Sequence, residues 1–328
     1  MHGRDITAHQ MRIPYSARAT FMQSDQSRSL KGIFNITVTP FTPDGAIDFR
    51  ALAEAVERII GFGYDGLLIG GTYGEFPTMT PGERAELFRR SIEFAGGRVP
   101  VMFCTAASDT RITLELTTLA SELGGYSMVT APYVSEITDE QIFEYFRWIA
   151  PAAKSHLVIY NAPGIGITLS SRLIERLAGI DGVVGLKQGD LGATTIDELA
   201  NRLGGKIKMF CASDLAFLGP IMAGFDGLSS TNSCAFPELI LATYRAVASG
   251  DATTAIRLHR SWYKFRELAR SHGQPQTVKA AMAHRGWGNG YVRQPLQRLT
   301  TAQAAAVAAV TDEILAATRA PQQRTVNG

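Results

Sequence analysis

From Lys31 onward the chain alternates short apolar runs with amphipathic segments in one repeating order. The runs are GIFNITVTPF from Gly32, DGLLIGGT from Asp65, VPVMFCTA from Val99, YSMVTAPY from Tyr126, HLVIYNAP from His156, GVVGLKQG from Gly182, IKMFCASD from Ile207 and DGLSST from Asp226. Each is nearly continuous in apolar residues, the pattern of parallel strands covered on both faces. The intervening segments carry helix signals. DFRALAEAVERIIGFG opens on Asp48 as an N-cap and closes on glycines. TPGERAELFRRSIEFAGG has Thr80 as cap, Pro81 in the first turn and Glu83 completing a capping box. DTRITLELTTLASELGG, TDEQIFEYFRWIAPAAK, SSRLIERLAG, TTIDELANRLGG and LAFLGPIMAGF follow the same logic.

A helix after each strand returns the chain so that the next strand lies parallel. Eight such units predict an α/β fold, a closed (β/α)₈ TIM barrel, over residues 31–236. An open doubly wound sheet is the alternative. It is disfavoured by the lack of a G-x-G-x-x-G turn after the first run, which continues into TPF. PELILATYRAVASGD, TAIRLHRSWYKFRELARSHG and the alanine-rich TAQAAAVAAVTDEILAATRA then predict a C-terminal helical appendage over 237–328. Residues 1–30 are polar and mildly basic and lack the apolar core of a signal peptide, so they read as a flexible arm.

Composition narrows the partners. The net charge is +2 with acids and bases mixed along the chain, which gives no electrostatic case for nucleic acid or an acidic membrane surface. No stretch is long and apolar enough to span a bilayer. Cys104, Cys211 and Cys234 are far apart, odd in number and without a C-x-x-C pair. That argues against a disulfide framework or a zinc site and fits a reducing, cytoplasmic setting. The six histidines form no metal-spaced group, so neither a metal nor a nucleotide cofactor is expected.

In a parallel barrel the chemistry sits at the C-terminal ends of the strands. Lys187 ends the sixth run, after Val183, Val184 and Leu186. Burial disfavours the cationic form of a lysine, and a neutral amine attacks a carbonyl to form a Schiff base. The plain structural alternative is a lysine that snorkels to solvent. Tyr160 ends the fifth run, where its hydroxyl can relay a proton to a substrate held by Lys187. The glycine-rich stretch Gly70-Gly71-Thr72-Tyr73-Gly74 after the second run offers exposed backbone N–H groups suited to a carboxylate. Thr72 adds a hydroxyl that both donates and accepts. Asp214 and Glu75 are acid–base candidates, with capping or structural hydrogen bonding as the simpler reading of each.

Taken together, GGTYGE (70–75), YNAP (160–163) and GLKQ (185–188) resemble the dihydrodipicolinate synthase / N-acetylneuraminate lyase family, in its order and with similar separations. The resemblance runs from about Lys31 into the C-terminal helices. It implies a (β/α)₈ barrel, often tetrameric, that acts on pyruvate or a related 2-keto acid without a metal. It also implies that Lys187 is the Schiff-base lysine, Tyr160 the proton-relay tyrosine and Thr72 its hydroxyl partner. The backbone around Thr72 and Tyr73, with Gly71 and Gly74, would be the carboxylate cradle. Ser229 falls where a main-chain carbonyl faces the site, and Asp214 and Tyr133 belong to the substrate's surroundings.

The chain also departs from the family's pattern. Tyr73 stands where the synthases carry a second threonine, and Ile165 where they carry an arginine for the second substrate's carboxylate. The tyrosine pair after the fourth strand reads Tyr133-Val134. These departures count against dihydrodipicolinate synthase activity itself. Leu215 after Asp214, and Gly189, likewise count against a sialic acid substrate. The expected activity is therefore a Schiff-base lyase or aldolase joining or splitting a 2-keto acid and an aldehyde, in a homo-oligomer (dimer or tetramer). The alternatives are a 2-keto-3-deoxy sugar acid dehydratase or hydratase-aldolase of the same family, a non-catalytic keto-acid-binding barrel, and a barrel enzyme for phosphorylated substrates.

Overall fold

The computed structural model describes residues 30–154 and 156–319. Of the arm assigned to 1–30, residues 1–29 lie outside that description, as do residues 320–328 of the appendage. Eight parallel strands close into a barrel in sequence order: β1 (Gly32–Ile36), β2 (Gly66–Ile69), β3 (Val101–Cys104), β4 (Tyr126–Thr130), β5 (Leu157–Asn161), β6 (Val183–Gln188), β7 (Lys208–Cys211) and β8 (Gly227–Ser230). β8 pairs back onto β1, so no edge is left open.

Around the barrel run α1 (Phe49–Phe62), α2 (Pro81–Ala95), α3 (Thr110–Glu122), α4 (Asp139–Ile149), α5 (Ser171–Ala178), α6 (Ala193–Leu203), α7 (Leu218–Met222) and α8 (Pro237–Ala248). The expected caps are in place. Asp48 accepts the Ala51 N–H at 2.9 Å, and Thr80 and Glu83 form a reciprocal capping box. α8 packs against α7 and α1, so the strand–helix alternation runs to Ala248 and the ring closes on a helix that the sequence pattern grouped with the appendage. The appendage proper is α9 (Ala252–Ser261), α10 (Tyr263–His272), α11 (Gln274–His284) and α12 (Thr301–Arg319). Among the described residues no helix is long and apolar enough to cross a membrane.

Parallel register places paired residues on the same face, and this decides what fills the barrel. Phe34 pairs with Gly66, and Phe210 with Gly227. A Cβ on Gly66 would lie 2.4 Å from the Phe34 ring, and one on Gly227 2.5 Å from the Phe210 ring. The two glycines therefore make room for two rings that meet edge to face at 5.0 Å between centroids. Below them Leu30 is fully buried, and its Cδ2 would lie 2.9 Å from a Cβ on Gly185 of β6. Leu30 thus stoppers the N-terminal floor of the barrel.

Beyond α11 the chain straps across the loops that follow β1 and β2. The Asn289 side chain donates to the Phe41 carbonyl at 2.8 Å. The Arg293 guanidinium donates to Gly45 O at 2.7 Å and Thr78 O at 3.0 Å, and pairs with Glu83 at 2.5 Å. The Arg293 hydrogen bond holds the Glu83 carboxyl well below its ordinary value of 4.5, at about 2.

A depressed carboxyl stabilises the fold above its unfolded value, and that contribution disappears as pH falls through the folded value. The gap in unfolding stability between the native protein and Glu83→Gln should therefore be constant above pH 4.5 and shrink between pH 4.5 and about 2, as read by denaturant titration.

Candidate active site

β5 and β6 bring the two principal candidates together because Tyr160 and Lys187 are register partners, on the same face of adjacent strands. Lys187 is 3% exposed and Tyr160 8%. The Lys187 Nζ sits 3.6 Å from the centroid of the Tyr160 ring. No carboxylate pairs with Lys187 among the described residues. A positive charge at this nitrogen, as ammonium or as iminium, is thus met by the negative face of an aromatic ring instead of a counterion.

Thr72 arrives from the other side. It opens a 3₁₀ turn, Thr72–Gly74, directly after β2. Its Oγ1 is 3.3 Å from the Tyr160 hydroxyl, close enough for either oxygen to donate. Within the turn Gly74 N–H donates to Gly71 O at 2.9 Å, and Glu75 N–H donates to Thr72 O at 3.1 Å. The N–H groups of Thr72 and Tyr73 start the turn and have no acceptor among the described residues, leaving two adjacent donors beside the Tyr160 hydroxyl. Tyr73 is partly buried. Burial raises its phenol above the ordinary value, with Tyr160 and Asp214 adding to the rise.

The other predicted positions divide. Ser229 lies on the wall formed by β8, where its hydroxyl donates to Cys211 O at 3.2 Å. Tyr133 is partly buried in the loop after β4, against the β5 loop at Gly166. Asp214 is fully committed: it accepts from Ser230 Oγ at 2.5 Å, Asn232 N–H at 3.0 Å and Asn232 Nδ2 at 2.7 Å. Burial raises its carboxyl above the ordinary range while these donors oppose the rise. Its geometry is that of a buried staple joining the β7 and β8 ends. Glu75 is likewise engaged, in a buried ion pair with Lys279 of α11. Burial pushes the Lys279 ammonium below its ordinary range, and Glu75 acts against that.

Several residues around the mouth carried no warning in the sequence. Asn161 accepts the Leu169 N–H at 3.0 Å and donates to Gln188 Oε1 at 3.1 Å, so it shapes the whole loop after β5. Thr130 is the register partner of Tyr160 on β4, and its buried hydroxyl has no partner among the described residues. Arg84 on α2 is 3% exposed, and its two Nη atoms donate to the carbonyls of Ala106 at 2.9 Å and Cys104 at 2.6 Å. Among the described residues no three His, Cys, Asp or Glu side chains gather to hold a metal ion.

Comparison with known proteins agrees with this architecture. A family model described as the dihydrodipicolinate synthetase family matches residues 29–314. The 4-hydroxy-tetrahydrodipicolinate synthase of Sorangium cellulosum is 34% identical over 271 residues, covering 81% of this chain and 90% of that protein. The solved structure of a chloride-inhibited dihydrodipicolinate synthase from Acinetobacter baumannii, complexed with pyruvate, superposes with a TM-score of 0.83 at 26% identity, covering 87% of this chain and 99% of that one. A catalytic-lysine mutant of the Ruminococcus gnavus sialic acid aldolase shares the fold, with a TM-score of 0.83 at 21% identity over 88% of this chain and 97% of that one.

If Asp214 is a staple, Asp214→Asn forces an amide donor against the Ser230 and Asn232 donors. It should lower unfolding stability by about 1–3 kcal/mol, measured by urea titration.

Proposed function

The chain belongs to the dihydrodipicolinate synthetase family and is a Schiff-base lyase of the class I aldolase type, acting on pyruvate or a related 2-keto acid; we propose that Lys187 is its amine, with Tyr160 and Thr72 as the proton relay. One observation carries this assignment: a buried lysine without a carboxylate partner has its nitrogen over the ring of a tyrosine whose hydroxyl meets a threonine.

The neutral Lys187 amine adds to the keto carbon, and the carbinolamine hydroxyl, taking one proton from solvent at the mouth, leaves as water to give a protonated imine. The substrate carboxylate accepts the free N–H groups of Thr72 and Tyr73. The electron pair of a C3–H bond then moves into the C2–C3 bond, and the imine pair moves onto nitrogen. The proton passes to the Tyr160 oxygen as the phenol's own proton moves to Thr72 Oγ1 and the Thr72 hydroxyl proton passes on to solvent water at the mouth. The resulting enamine attacks an aldehyde carbon to form a C–C bond, or arises from C–C cleavage in the reverse direction. The Tyr160 ring face stabilises the iminium cation before proton loss and again when C–C bond formation restores it.

The second substrate is an aldehyde less charged than aspartate semialdehyde. The loop over 162–170 holds no cation, Ile165 and Ile167 line it, and Val134 is 59% exposed beside Tyr133. Arg84, the buried cation near the mouth, is taken up by two carbonyls. A carboxylate entering here would lose hydration without gaining a partner, whereas an apolar chain would meet Tyr73 and the isoleucines. The three free, buried cysteines fit a cytoplasmic setting.

Borohydride reduction in the presence of pyruvate should leave a reduced adduct on the peptide containing Lys187, and none in Lys187→Ala. Absence of an adduct in the native protein removes the assignment. Tyr160→Phe should slow turnover about 10²–10⁴-fold. In an aldehyde screen, apolar aldehydes should be consumed faster than aspartate semialdehyde; the opposite order overturns the substrate class. We further propose that the protein works as a dimer or tetramer, so light scattering should return a multiple of the 35.5 kDa chain.

A further inference from the structure

Glu75 is the only residue of the β2 loop, among those described, that is both non-glycine and left-handed, with φ of 62°. A side-chain-bearing residue holds that conformation only when its surroundings over-determine it. Its carboxylate supplies the reason. One oxygen is ion-paired with Lys279 Nζ, which also donates to Tyr291 O at 2.9 Å, and the other accepts the Arg293 backbone N–H at 3.0 Å. Both sides of the ion pair are buried, Lys279 to 4% and Glu75 to 0% side-chain exposure. The backbone of the same residue closes the turn on Thr72, through the Glu75 N–H to Thr72 O bond of 3.1 Å.

The geometry points to Glu75 as a positioning residue: with Lys279 and the main chain at Arg293 it forms a clamp by which the C-terminal helices set Thr72 against Tyr160. The Thr72–Tyr160 contact of 3.3 Å is already at the long end of hydroxyl hydrogen bonding. A relaxation of Glu75 out of the left-handed region moves the Thr72 carbonyl and with it the hydroxyl. The clamp therefore acts on the proton step. It makes no contact with Lys187, so imine formation does not depend on it. The appendage, 204 residues away in sequence from Glu75 at Lys279, is part of the catalytic apparatus and not only a cover for the barrel. This inference rests on the Lys187–Tyr160–Thr72 assignment above.

The test needs no second substrate. With pyruvate alone in deuterated water, the enamine step exchanges the methyl protons, and proton magnetic resonance follows the loss. The rate is divided by the number of sites that borohydride traps. Two variants serve: Glu75→Gln, which neutralises the clamp, and Glu75→Gly/Lys279→Met, which removes both buried charges and frees the backbone at 75 to leave the left-handed region. In both, trapping persists and exchange per trapped site should fall about 10- to 100-fold. Added to either, Thr72→Val should then cause less than about a threefold further loss, because the clamp works through Thr72.

Exchange per trapped site within twofold of the native protein in Glu75→Gly/Lys279→Met overturns the clamp. So does a Thr72→Val effect of the same size with and without it. Failure of the native protein to trap pyruvate would instead overturn the assignment on which the clamp rests, and the two results cannot be confused.

Discussion

A primary amine buried in an apolar barrel with no carboxylate beside it is the constraint around which this protein is organised. The β5–β6 register places Lys187 there and lays the Tyr160 ring beneath its nitrogen. The ring face tolerates a cation without neutralising it, and it leaves the lone pair of the neutral amine free, which a carboxylate would compete for. The same residue turns its hydroxyl to Thr72, so in the proposed mechanism one aromatic side chain serves both charge and proton transfer. The glycines at 66 and 227, which admit the Phe34 and Phe210 rings below, keep the stem of the lysine in a dry environment.

The mouth above is built from loops, and each is fixed by a different buried polar group. Asn161 spans the loop after β5 through Leu169 and ties it to Gln188 of β6. Asp214 joins the ends of β7 and β8 through Ser230 and Asn232. Glu75 joins the β2 loop to α11. These groups look like catalytic acids or bases in a list of strand-end residues, but their oxygens are already satisfied by fixed donors. That leaves the Lys187 amine, the Tyr160–Thr72 hydroxyl pair and the two amides at Thr72 and Tyr73 as the groups on which the proposed chemistry draws.

The barrel was legible from the sequence because doubly covered parallel strands produce continuous apolar runs, and because Asp48 and the Thr80–Glu83 box announce helix starts locally. The helix read across LAFLGPIMAGF shortens to Leu218–Met222, with Pro220 inside it. α8 was grouped with the appendage because an amphipathic helix that closes a ring and one that packs outside it have the same pattern; only the neighbours differ. Of the proposed site, Lys187 and Tyr160 were legible as residues closing strands and Thr72 as part of the glycine-rich stretch after β2. The clamp was not. Lys279 sits in QPQTVKAAMAH among residues that suggest only a packed helix, and nothing local tells that its partner is Glu75. Nor does the sequence tell that Arg84 will be buried and donate to the carbonyls of Ala106 and Cys104.

The Phe34 and Phe210 rings, with Leu30 wedged under Gly185, fill the barrel beneath the amine. Under the proposed mechanism the water expelled when the imine forms exits past the keto acid that displaced it, and the water that later frees the product returns the same way. Whatever next occupies the entrance then governs how long the covalent adduct survives.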